Sequence, residues 1–140
     1  MPQINVGRWL AGGLAAGTLL LAVDVGSFPL YRSEYEAAFA THSLTPMAGR
    51  GMLFGFGQIV LSGFVLVFLY VAMRPRFGAG PRTALIAATT LWVARWLTAS
   101  LYYRAIGLFP NRMLVTWLGI GFTALAAAAL LGAWIYREAD

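Results

Sequence analysis

The 140 residues are 60% hydrophobic and only 11% charged, with a mean hydropathy of +0.73. A soluble domain of this size carries far more charge on its surface, so composition excludes one and makes a bilayer the natural solvent. The net charge is +5 and all ten basic residues are arginines; they lie scattered at span ends instead of along one face, which argues for lipid headgroups and against a nucleic-acid partner.

In chain order, the first apolar run is 6–28, with Arg8 as its charged flank. Its short apolar core leaves a cleaved signal peptide as the other reading, but it lacks a clean small-x-small cleavage site and Asp24 sits where cleavage would fall. Residues 29–50 form the only long connection. There "SEYE" gives Ser33 and Glu36 the spacing of a capping box. Tyr35, Ala38, Phe39 and His42 occupy i, i+3, i+4, i+7, which predicts a short amphipathic helix over 33–44, lying at the membrane surface and stopped by Pro46. Further apolar runs cover 51–73, 83–103 and 112–136. At 1.5 Å per residue each crosses a hydrocarbon core of about 30 Å. The expected fold is therefore an all-α integral membrane protein. It is a single transmembrane domain over 1–140, a four-helix bundle with a surface helix between spans one and two.

The connection "RPRFGAGPRT" reads as a tight turn. Pro75 ends one helix, the glycines reverse the chain and Pro81 opens the next. A phosphate-cradling loop would need Walker spacing and a lysine, and neither is present. Arg74, Arg76 and Arg82 are expected to face headgroups. With an even number of spans, both termini share that side, together with Arg8 and Arg137. Arg32, Arg50, Arg104 and Arg112 lie opposite, so the dense arginine turn places both termini in the cytoplasm. The absence of lysine beside abundant alanine, glycine and arginine points to a GC-rich bacterial genome, hence a bacterial inner membrane.

Tyr70, Arg74 to Gly78, Gly80 to Ala84 and the tail Gly132 to Arg137 carry a resemblance. Here the chain resembles a group of small, uncharacterised four-helix bacterial inner-membrane proteins. They share an Arg-Pro-Arg-Phe-Gly-x-Gly-Pro-Arg/Lys-Thr-Ala turn and a Gly-Ala-Trp-x-Tyr-Arg end. The resemblance implies architecture and no activity.

Each span offers one face of small or polar residues, where membrane helices approach closely. These are Gly13, Gly17, Leu20 and Asp24 on the first, and Gly51, Phe54, Gly55, Gln58 and Ser62 on the second. The third offers Trp92, Arg95, Thr98, Ala99 and Tyr102, and the fourth Thr116, Gly119, Thr123 and Ala127. Aromatic residues elsewhere (Phe56, Phe64, Phe68, Trp117, Phe122, Trp134) are expected to meet lipid or protein. Arg95, Gln58 and Thr123 fall at a common depth of roughly 18–22 Å, and Asp24 nearer 28 Å. A guanidinium at mid-bilayer costs about 2.5–3.5 kcal/mol, so pairing of Arg95 with Asp24 is expected, with Gln58, Tyr102 and Thr123 completing a polar cluster.

Two readings of Arg95 stand: a buried tie that fixes helix order, or the lining of a hydrated site for an anion, a lipid headgroup or a small solute. A lone histidine, His42, cannot ligate haem from two sides. The five acids form no metal-ligand spacing, and no Ser–His–acid set arises. The expected protein is thus not an enzyme and has no cofactor, metal or catalytic residue. It is expected to be an accessory or scaffolding subunit, for example of a respiratory or photosynthetic complex. Its partners would be lipids and either other integral membrane proteins or further copies of itself; the alternative is a small transporter or a lipid- or anion-binding protein.

Overall fold

The computed structural model describes residues 4–136, so Arg137 and the two acids after it lie outside the described residues. Among those described, secondary structure is helical throughout. Helix α1 (Val6–Ser27) runs into a 3-10 turn (Phe28–Leu30), followed by α2 (Arg32–Thr41) and α3 (Arg50–Phe77). Helix α4 (Pro81–Trp92) continues through a π-turn (Val93–Leu97) into α5 (Thr98–Ala105), and α6 is Asn111–Ile135. Four helices are long and apolar enough to cross a membrane: Val6–Leu30, Arg50–Phe77, Pro81–Ala105 and Asn111–Ile135. The expected all-α four-helix membrane bundle is the fold.

Around the bundle, helix α1 packs on α3 and α6, α4 packs on α6 and α3, and α3 touches α6 across the short diagonal. The close seams are made by residues without side chains. A Cβ on Gly63 would fall onto the backbone of Gly17, and one on Gly13 would meet the Phe64 ring. A side chain at Gly132 would strike Val67, and one at Gly121 the indole of Trp96. In hydrocarbon no water-driven force gathers helices, so this backbone approach and its dispersion contacts hold them together. Trp9 Nε1 adds an interhelical bond to Phe64 O at 3.1 Å, and Trp92 Nε1 one to Leu118 O at 3.0 Å.

Several expected faces are corrected. Helix α3 buries Ile59, Ser62, Gly63, Leu66, Val67, Tyr70 and Val71, whereas Phe54 and Gln58 are exposed and Gly51 and Gly55 meet only Met47. On α6 the buried set includes Gly121, Ala124, Leu125, Ala128, Ala129 and Gly132, and Gly119, Thr123 and Ala127 face outward. That alanine-rich helix carries two stripes of small residues, and volume matching against Trp96 and Val67 chooses between them. Among the aromatics expected outside, Phe56 and Trp117 instead pack against the core, and Phe64 meets Trp9.

Both ends of the second connection also differ. Helix α3 runs through Pro75 to Phe77: the proline forfeits one backbone bond, and Gly78 N–H still reaches Arg74 O at 2.8 Å. Reversal occurs at Gly78 and Gly80, with φ of 83° and 133°, and Pro81 opens α4 as expected.

Helix α2 starts at Arg32, so Ser33 lies inside it and no side chain caps its start. Glu36 turns to Arg32, with Nε 2.7 Å from Oε1. It ends at Thr41, before Pro46. Its predicted face is real but meets protein: Tyr35 and Phe39 stack on Phe109 with centroids 6.0 and 6.3 Å apart, and His42 Nε2 lies 3.3 Å from Gly107 O. Glu34 and Arg112 stand 3.5 Å apart across the same contact.

The glycine seam yields a paired test. Gly63→Ala is expected to lower stability in detergent by about 1–3 kcal/mol through overpacking. Gly57→Ala, where an added methyl meets nothing, should stay within about 0.5 kcal/mol of the parent. Equal effects would dismiss the seam.

Candidate functional site: an intramembrane arginine on a π-turn

Arg95 lies 14 residues beyond Pro81, about 21 Å along its span. The chain there is a π-turn: Thr98 N–H donates to Val93 O, five residues back. Thr98 Oγ1 in turn donates to Ala94 O at 2.7 Å, giving that carbonyl a partner from the residue whose amide has moved. One added residue in a helix rotates the downstream side chains by about 100°. This is why the expected stripe fails past Arg95. Tyr102 is 64% exposed, and Trp96, Ser100 and Tyr103 carry the packing instead. Trp96 and Ser100 are buried, and Tyr103 sits against Phe109 and Trp117.

The guanidinium turns to the second span. Arg95 Nη1 donates to Gln58 O at 3.1 Å and to Ser62 Oγ, while the Ser62 hydroxyl donates to Gln58 O at 2.8 Å. The three groups close a triangle on one turn of α3. The guanidinium carbon also lies 4.6 Å from the Trp96 ring centroid. Interhelical hydrogen bonds in membranes contribute about 0.6 kcal/mol each and a desolvated cation–π contact about 2. Together these are comparable with the insertion cost of about 2.5–3.5 kcal/mol.

The expected cluster is thus only partly assembled. Gln58 contributes its carbonyl, and its side chain is exposed. Thr123 bonds its own helix at Gly119 O and Ile120 O. Asp24 forms no ion pair among the described residues, although it lies within electrostatic range of Arg95. It borders a cavity of about 20 Å³ walled by all four spans, including Leu20, Ile59, Trp96 and Gly121. That volume is room for one water. Tyr31, itself buried, has its phenol pushed up from the ordinary value by burial and then by the Asp24 carboxylate.

At the other end, Arg74 is not simply turned to headgroups. Its guanidinium lies 5.8 Å from the Tyr70 ring and 5.3 Å from the Tyr136 ring. The Tyr70 hydroxyl accepts from Gly80 N–H, and the Tyr136 hydroxyl accepts from Asn5 N–H, each at 3.3 Å. Arg76 and Arg82 are exposed. Trp9 and the tyrosine pair are partners that sequence reasoning missed, whereas Ser62 stands on the inward face expected for it and supplies a bond to Arg95 that sequence reasoning did not assign. The repeated Tyr–Arg ending of spans two and four was the available signal for the last of these. Among the described residues no three of His, Cys, Asp or Glu come together.

Fold and site together define a multi-pass all-α membrane protein with an internal arginine tie. Compared with known proteins, the chain matches no family model, no curated protein and no solved structure.

A double-mutant cycle tests the tie. Ser62→Ala alone is expected to cost about 0.5–1.5 kcal/mol in detergent unfolding and close to nothing when Arg95 is already Met. An equal cost in both backgrounds would show that the two do not interact.

Proposed function

We propose that this is a non-enzymatic accessory or scaffolding subunit of the bacterial inner membrane, with both termini in the cytoplasm. The observation that carries the reading is where the polar groups go. Arg95 holds Gln58 O, Ser62 and Trp96, and the internal cavity beside Asp24 is about 20 Å³. Sites for small molecules have some 300–1,000 Å³. Large apolar side chains meanwhile stand outward, with Phe54 and Trp134 each 77% exposed, which suits lipid or a second membrane protein. A transporter, or an anion binder built on Arg95, has less support because Nη1 of that guanidinium already donates to Gln58 O and Ser62 Oγ. The orientation rests on Arg74, Arg76 and Arg82 crowding one turn.

Reporter fusions after Ala79 and at the C-terminus should report cytoplasm, and one after Thr41 the opposite side; a reversed pattern would overturn the orientation. Purification of the full chain in mild detergent should bring a stoichiometric membrane-protein partner or a defined homo-oligomer. A monomer holding a small solute that Arg95→Lys releases would replace this reading with the binding one, because lysine keeps the charge and loses the planar fork.

A further inference from the structure

Along the outward face of the third span runs an open groove of about 730 Å³, lined by Arg82, Leu85, Ile86, Thr89, Thr90, Val93 and Ala94. We infer that this groove is a binding site for one anionic phospholipid of the leaflet on the arginine-turn side, with the phosphate on Arg82 and one acyl chain along Leu85 to Ala94.

Three features converge on that occupant. The groove is chemically apolar despite its threonines, because Thr89 Oγ1 donates to Leu85 O at 2.9 Å and Thr90 Oγ1 to Ile86 O at 2.8 Å. With those hydroxyl hydrogens spent inside the helix, the groove between Leu85 and Ala94 offers a solute no side-chain donor and is mostly hydrocarbon, which suits an acyl chain. From Arg82 to Ala94 is twelve residues, about 18 Å. That is close to one leaflet of a hydrocarbon core of about 30 Å.

At the headgroup end, Arg82 is exposed and has no partner among the described residues. It sits in the first turn of α4, which has no acidic residue and no side-chain cap. The helix dipole and the guanidinium thus present positive charge at one point, and a phosphate matches both. A second helix would fill the apolar part and leave the cation unanswered, so a lipid fits better.

Native mass spectrometry of the full chain from detergent, after exchange with phosphatidylglycerol or phosphatidylcholine, tests it. The parent protein should keep one phosphatidylglycerol, preferred about fivefold over phosphatidylcholine for one arginine at the surface. Free inorganic phosphate should not compete. Arg82→Gln should abolish the preference, and Thr90→Phe, which places a ring across the path of the acyl chain, should abolish the adduct. Both variants should elute from size exclusion as the parent does, since both side chains are exposed. A preference that survives Arg82→Gln overturns the proposal, as does an adduct that survives Thr90→Phe. So does a lipid-free dimer that Thr90→Phe dissociates, because the groove would then hold a second copy.

Discussion

Midway through the apolar bundle, Arg95 has to find acceptors, and it finds them on the neighbouring span instead of on an acid. A helix carbonyl already used within its own helix still has a second lone pair. Gln58 O shares it between the Ser62 hydroxyl and the Arg95 guanidinium. Anchoring a cation on neutral dipoles avoids sinking a second charge into hydrocarbon. It also fixes the depth of the third span against the second, because the triangle closes on one turn of α3. The π-turn is the local cost, and Thr98 Oγ1 helps to meet it by bonding Ala94 O.

The remainder of the bundle is compatible with that tie because its seams are so close. Gly17 against Gly63 sets the first pair of spans, and Gly132 against Val67 the pair across the diagonal. At one end Arg74 lies near the Tyr70 and Tyr136 rings. At the other, Tyr35 and Phe39 stack α2 onto Phe109, which itself leans on Tyr103 at 5.4 Å. Both ends are closed by aromatic contacts, and the interior keeps a single-water cavity beside Asp24. Such a body has little internal space for a solute and a large apolar exterior, and on that ground a scaffolding role is proposed.

The four spans, the α2 face and the Gly13/Gly17 seam were legible because each rests on one residue property repeated at a fixed period. Arg95 was also legible, since charge in an apolar run stands out regardless of register. Its partner was not. Side-chain inventories suggest Asp24, whereas backbone carbonyls such as Gln58 O carry no mark in a sequence. A uniform 3.6-residue period places Tyr102 inward, and the π-turn at Val93–Leu97 rotates it out. On α6, Thr116, Gly119, Thr123 and Ala127 compete with Gly121, Ala124, Ala128 and Gly132, and pattern alone cannot rank two stripes of small residues. Only the bulk of Trp96 and Val67 opposite selects the second.

The most direct test of the arginine tie is a solid-state NMR distance in lipid bilayers between the Arg95 guanidinium nitrogens and the Gln58 carbonyl carbon, labelled selectively. A 3.1 Å N···O contact extended through a C=O bond of 1.23 Å places them about 4 Å apart. Strong dipolar dephasing at that separation is the expected result. An absence of dephasing from Gln58, with contact instead to the labelled Asp24 carboxyl carbon, would mean that Arg95 answers an acid and that the tie to the second span is not the interaction on which the bundle is built.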